Sequence, residues 1–498
     1  MTNKQPKDLA ISDDGRNSKK SLEVVQDIDM STIPIPVEPV CHEPSEERSL
    51  VRKIDWRIMP YLWGYAVLSA VDKIIISNAA LYGMKDDLHL VGQQYSWVGS
   101  IFYFGYLVAE FPLVSMMGRF PVAKFLAIMA MGWALMTLLM AACHNAQGLM
   151  ALRFFMGMTE APALPGLTLM TSMWYTKKEQ PLRVALWSST VASIYVGLVS
   201  YGIGNASKLS IASWRLLFLV LGAISMIFGV MMFFFCPDRP EAGRFLSERE
   251  ALIAIERKRS DNTGIENKAS SLFRSRCLTL GLTRRRNSNS TSNGGLNTFS
   301  AQIVSGFGFS KLNTVLIGMP TGVIQAVSSI IATIPSRYFK NVRCISAAVC
   351  CAVPLVCSIV IRRLPSSDMT GLLIAYYFFY FFWGPYAVAL SLPMANTSGH
   401  SKKLTVNAMV FLSYCVANII APQTFQASQA PHYETGYNSI AGFESAAIAI
   451  MLLYIVGVQW ENRRRDKLHG NMVEGDVDPS VSFDDLTDWE KPNFRYVC

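Results

Sequence analysis

Stretches of about twenty apolar, almost uncharged residues recur along this chain, each long enough at about 1.5 Å of helical rise per residue to cross roughly 30 Å of hydrocarbon. Six fall in the first half, near residues 58–82, 94–117, 124–143, 148–174, 184–204 and 214–236. After a polar stretch come five more, near 312–335, 344–361, 369–395, 404–427 and 440–460. The expected fold class is an all-α polytopic membrane protein with eleven clear helices. With 51% hydrophobic and 16% charged residues, the composition excludes a soluble domain of ordinary type.

Basic residues flanking the runs set their direction, because cytoplasmic loops retain Lys and Arg. Arg52, Lys53 and Arg57 precede the first run, Arg119 and Lys124 separate the second from the third, and Lys177, Lys178 and Arg183 the fourth from the fifth. The alternate connections, around Asp86 and Asp87, His144 and Asn145, and from Asn205 to Arg215, carry fewer basic residues. In the second half Arg337, Lys340 and Arg343, then Lys402 and Lys403, then Arg463, Arg464 and Arg465 mark the same side. The reading places both termini in the cytoplasm and requires one further crossing between residues 237 and 311.

No stretch there has the composition of a span. Ala269 to Asn293 reads ASSLFRSRCLTLGLTRRRNSNSTSN, and burying its Arg residues would cost roughly 2.5–3.5 kcal/mol each. Gly294 to Phe309 is uncharged but short and crowded with Gly, Ser, Asn and Gln. A seventh helix is therefore expected to be missing or replaced. One explanation is a regulatory loop, since RRRNS resembles a basophilic kinase site. The favoured one is a shifted reading frame or wrongly joined exon, because the charge parity resumes correctly on both sides.

The remaining signals bound the function by exclusion. Ten scattered cysteines show no metal or disulfide spacing, and no nucleophile–base arrangement or phosphate loop is found, so neither an enzyme nor a cofactor is expected. The formal charge of +9 follows from the loop bias rather than from a nucleic-acid partner. Residues 1–50 are expected to be a disordered cytoplasmic tail without a cleaved signal, 51–236 a six-helix bundle, 237–311 a linker, 312–460 a second bundle and 461–498 a second tail. Cys498 gives no prenylation signal, and Asn205-Ala-Ser207 is a glycosylation triplet near the membrane.

Ionisable residues inside apolar helices cost free energy that packing alone does not require. Asp72 and Lys73 fall in the first run, Glu110 in the second, Arg153 and Glu160 in the fourth. Arg153 and Glu160 are seven residues apart, hence on one helix face, with Gly157 between them. Burial favours a protonated acid and a nearby Arg favours the carboxylate, so small rearrangements shift a proton, as a proton-coupled carrier needs. The alternative is static pairing, of Asp72 with Arg153 for example. Lys73 and Arg153 are candidate sites for a substrate carboxylate. Glu110, near the basic end of its helix, is a candidate structural lock for the loop carrying Arg119 and Lys124. In the second half Asn407, Tyr414 and Asn418, spaced seven and four, share a face and either bind substrate or join helices. Tyr376 to Trp383 is aromatic all round, and Gly384-Pro385 marks a kink.

Several motifs here resemble the fungal allantoate permease branch of the anion:cation symporter family, within the major facilitator superfamily. They are VDKIIISNA at 71–79, YLVAEFP at 106–112, GRFPVAK at 118–124, RFFMGMTEAPALPG at 153–166 and PDRPEAGRFLSERE at 237–250. The likeness resumes at NGGLNTFSAQIVSGFGFSKLNTVLIGMPTG, 293–322, and omits the stretch near 269–292, where that family carries its seventh helix. Lys73 stands where the family has Arg.

The resemblance implies a major facilitator fold of two six-helix bundles around a central cavity, with alternating access. It implies Asp72 and Glu160 as proton-carrying acids, with Lys73 and Arg153 neutralising a small organic anion such as allantoate, ureidosuccinate, a small peptide or a vitamin carboxylate. The partners expected are that carboxylate, protons and the lipid bilayer, with the chain a monomer in the plasma membrane. A non-transporting nutrient sensor, or an inactive product of a damaged gene model, are the alternatives.

Overall fold

The computed structural model describes residues 43–176, 179–188, 191–206, 210–238, 245–260, 286–339, 341–365, 367–386, 388, 392, 396, 400–469 and 495–497. Regular structure among them is helical. The first half contains α1 (Pro44–Leu81), α2 (Gln94–Met117), α3 (Val122–Met140), α4 (Ala146–Glu160), α5 (Ala163–Trp174), α6 (Gln180–Ser188), α7 (Ala192–Asn205) and α8 (Ser213–Phe235). A connecting helix α9 (Glu248–Ser260) leads towards the second half: α10 (Arg286–Gly306), α11 (Lys311–Gly318), α12 (Thr321–Thr333), α13 (Arg343–Arg363), α14 (Met369–Phe379), α15 (His400–Gln423) and α16 (Glu434–His469).

All eleven apolar runs carry helix. Seven helical stretches among the described residues are long and apolar enough to cross a bilayer unaided. Others are interrupted: α4 stops at Glu160 and α5 restarts after Pro162, because Pro162 and Pro165 supply no amide to continue the ladder. Where helices begin, side chains take up orphan amides. Asn145 accepts from the Gly148 amide at 2.7 Å, Ser310 from Asn313 at 3.3 Å and Asp368 from Gly371 at 3.0 Å. Phe111, Phe155, Ile227, Phe234 and Leu453 are each more than half exposed, an apolar exterior suited to lipid. Inside, α2 and α4 touch backbone to backbone. A Cβ on Gly157 would run into the Phe102 carbonyl, and one on Gly105 into the Phe154 carbonyl.

The structure corrects the expectation of a missing seventh helix. The segment Gly294–Gly306, read as too short and too polar, supplies most of α10. Leu296, Phe299 and Ile303, spaced three and four, form a buried stripe along it. Its polar side chains and backbone groups find partners within the bundle: Ser300 meets Ser77 at 3.1 Å, Asn293 donates to Asn418 at 3.2 Å, the Ala301 amide donates to Ser77 Oγ at 2.9 Å, and Tyr95 donates to the Thr298 carbonyl at 2.5 Å. Composition was a sound guide to lipid exposure, since α10 is not among the seven apolar stretches, but a helix surrounded by protein need not be apolar. Residues 269–285, most of the segment on which the frame-shift reading rested, lie outside the described residues.

Contacts between the halves run from the end carrying Lys85 to about mid-height. Ser77 meets Ser300 at 3.1 Å, Ser100 donates to the Ile419 carbonyl at 2.7 Å, and Gln423 donates to Ser100 at 2.9 Å. Ser193 on α7 donates to the Met319 carbonyl and accepts from the Gly322 amide, both at 3.0 Å. At the opposite, basic end α9 is clamped onto the first half. Arg257 pairs with Glu47 at 2.7 Å and Glu179 at 2.6 Å, and Lys53 with Glu250 at 2.7 Å.

The tail boundaries shift as well. α16 continues to His469, so Arg463 to Arg465 are helical, and residues 495–497 are placed against it. Residues 1–42 and 470–494, Lys177, Lys178, Lys340 and Ser207 are outside the described set.

Candidate functional site

Adjacent residues on a helix point about 100° apart. Asp72 and Lys73 therefore leave α1 towards different neighbours. Lys73 turns to α4, where its ammonium is bonded to Glu160 Oε1. Ser69, one turn earlier on α1, donates to the same oxygen and accepts from the ammonium at 3.1 Å. Asp72 turns to α3, where Thr137 donates to its Oδ1 at 3.1 Å. Both carboxylates are fully buried, and each keeps one oxygen, Asp72 Oδ2 and Glu160 Oε2, without a hydrogen-bond partner among the described residues.

Arg153 behaves differently from Lys73. Its Nη1 donates to the Asp72 backbone carbonyl at 3.0 Å and its Nε to the Val98 carbonyl at 3.4 Å. The static pair of the Asp72 carboxylate with Arg153 is thus not formed; the ion pair that exists is Lys73 with Glu160. Both cations approach the Phe102 ring, whose centre is 4.9 Å from the Arg153 guanidinium and 5.5 Å from the Lys73 ammonium. Its negative face shares their charge.

From the second half, Asn293 on α10 donates to Asn418 at 3.2 Å and to the Tyr414 hydroxyl at 3.4 Å, and accepts from Asn297 at 3.0 Å. Tyr414 and Asn418 are thus together, in a network joining α10 to α15. Asn407 is on α15, but its side chain is outside the described residues. Two ring contacts carry the network to the first half: Tyr103 meets Tyr414 edge-on at 6.0 Å, and Tyr106 stacks on Phe411 at 5.0 Å. Asn78, Ser193, Asn297, Ser300, Gln325 and Tyr380 line an uncharged polar cavity between the halves.

Three further residues lie apart from this centre. Glu110 is buried, and its Oε2 has no hydrogen-bond partner among the described residues. Arg119 and Lys124 are exposed, and what fastens their loop is the Lys124 amide, donating to Asp238 at 3.2 Å. Sequence reasoning missed Ser69, Thr137, Phe102, Asn293 and Asn297. Ser69 stands four residues before Lys73, a readable spacing, and the Asn293–Asn297 pair shows the same spacing once its segment is granted to be helical.

A family model described as Major Facilitator Superfamily matches residues 62–422, spanning both halves and every residue of this centre. The chain belongs to the Major Facilitator Superfamily. This is a family of transporters rather than enzymes, and the chain is an integral membrane protein with several helical spans. An uncharacterized transporter of Schizosaccharomyces pombe is 38% identical over 471 residues, covering 91% of this chain and 86% of that one. The allantoate permease of Saccharomyces cerevisiae is 31% identical over 475 residues, covering 91% and 87%. Among solved structures, the inward-open xylose transporter XylE from E. coli aligns with a TM-score of 0.62 at 13% identity, covering 79% of this chain and 95% of that one. That likeness shows the Major Facilitator fold.

Proposed function

We propose that this Major Facilitator chain is a proton-coupled carrier that takes up a small organic carboxylate. The observation that carries the reading is the buried ion pair of Lys73 with Glu160. Protonating Glu160 removes the anionic partner of the ammonium, whose charge and N–H donor are then free for another anion. A substrate carboxylate replaces the carboxylate of Glu160, so proton and anion enter together. Release reverses the exchange: a deprotonated Glu160 reclaims Lys73 and displaces the substrate.

In this reading Arg153 sets the potential of the site from behind, through Phe102 and the α1 backbone. Asp72 is the second acid, against α3. Asn293, Tyr414 and Asn418 offer uncharged donors on the opposite wall, where the rest of a polar anion would lie. The name of the allantoate permease relative supports a carboxylate as cargo. The charge bias supports a cytoplasmic basic end, with the Lys85 end on the other side of the membrane; the plasma membrane is the proposed address.

The test is uptake by the purified chain in vesicles with an imposed proton gradient. Glu160→Gln should abolish gradient-driven accumulation while the protein still inserts. Accumulation at the unmodified rate would sink the reading.

A further inference from the structure

At the basic end, residues 495–497 lie between two asparagines that treat them as a strand. Asn462 on α16 donates to the Tyr496 carbonyl at 2.8 Å and accepts from the Tyr496 amide at 3.0 Å. Asn396, 3% exposed, donates to the Val497 carbonyl at 2.6 Å and accepts from the Val497 amide at 2.7 Å. The amide and carbonyl of one residue in an extended chain point to the same side, and those of the next residue to the opposite side. The segment is therefore extended, with one asparagine reading each edge, as in strand-addition recognition of a peptide.

Side chains supply the selectivity. The Tyr496 ring packs on an apolar cluster of Cys344, Tyr454 and Val458, with Leu392 and Ile455 beside it. Arg465, itself buried, stacks on that ring at 4.8 Å and donates to its hydroxyl at 3.1 Å. Arg495 pairs with Asp466 at 2.8 Å. The tripeptide thus bridges α13, α16 and Asn396, which are far apart in sequence.

We propose that this groove is a peptide-binding site at the basic mouth of the carrier, filled by the chain's own Arg495–Val497, and that docking there restrains Asn396. Its ligand class is an extended peptide carrying Arg-Tyr-Val, held by backbone pairing with two amides and by the tyrosine socket. The effect on transport rests on the carrier reading; the binding does not.

Cys344, 1% exposed in the socket, is a built-in reporter. In the full chain, Tyr496→Ala should raise labelling of Cys344 by a water-soluble maleimide, read by mass spectrometry. A synthetic peptide of residues 493–497 followed by serine should restore protection, and at a concentration about tenfold higher or more when Asn462→Ala is added, as the loss of two neutral hydrogen bonds implies. Uptake by the Tyr496→Ala chain should rise and fall back when the peptide is supplied. Labelling that is unchanged in Tyr496→Ala, or raised but not reversed by peptide, overturns the site. Reversible labelling without any change in uptake overturns the restraint, and does so only in vesicles where the unmodified chain transports.

Discussion

Lys73 on α1 is ion-paired with Glu160 on α4, whereas Arg153, on the same face of α4 as Glu160, gives its donors to backbone carbonyls. The two cations of the centre are therefore not equivalent. The Lys73 partner is an ionisable group that a proton removes, while the Arg153 partners are permanent. Lysine, a compact point charge with rotatable donors, suits an exchange of partners better than a rigid guanidinium fork would.

From this follows a prediction for the acid. Glu160→Gln should mimic the protonated state, so exchange of labelled for unlabelled substrate across the vesicle should persist while accumulation driven by a proton gradient is lost. Parallel loss of both activities would show that Glu160 serves binding rather than coupling.

A second prediction concerns the base. Lys73→Met leaves the Glu160 carboxylate buried opposite an apolar side chain, and breaking a buried pair in this way costs about 3–5 kcal/mol. Thermal unfolding in detergent should show a large loss, mostly restored in the Lys73→Met, Glu160→Gln double variant. Substrate affinity should stay low in both, and equal stability of the single and double variants would contradict the pairing.

Packing gives a third. Because a Cβ on Gly157 meets the Phe102 carbonyl, Gly157→Ala should push α4 from α2 and destabilise the first half by about 1–3 kcal/mol, the usual cost of overpacking. Gly202, exposed and with open surroundings, is the control: Gly202→Ala should unfold at the unmodified temperature or somewhat above it.

The fourth is a pH dependence at the α9 clamp. Partial burial works against the charge of Glu250, but Lys53 and the Ser247 amide and hydroxyl outweigh it and hold its carboxyl below the ordinary 4.5. A lowered carboxyl pKa stabilises the docked state fully above the ordinary value and loses that contribution as the pH falls through the folded one. Hydrogen exchange in α9 should be flat from pH 7 to about 5, after correction for intrinsic rates, and should quicken below that range. In Glu250→Gln the acid-dependent step should shrink.

Much of this was legible beforehand. Lipid-facing apolar runs identify themselves by composition, and the acids and bases of α1 and α4 stand out because hydrocarbon penalises them. What composition does not encode is direction around the helix: nothing in the sequence said that Asp72 would turn to Thr137 and Lys73 to Glu160. The failure at α10 is of another kind. Leu296, Phe299 and Ile303 carry a helical period, but mean apolarity over a window reports exposure to lipid and not helix formation. The Asn462 and Asn396 clasps were invisible because they read backbone groups that every sequence has.

The polarity of α10 also bears on how the chain is made. A helix of Ser, Asn, Gly and Thr gains little by leaving the insertion machinery for lipid on its own. Its partners Ser77 and Tyr95 are synthesised first, but Asn418 and Phe425 come more than a hundred residues later. The contacts that seat α10 are therefore complete only once α15 has been made, and until then the first helix of the second half rests on its partners in the first.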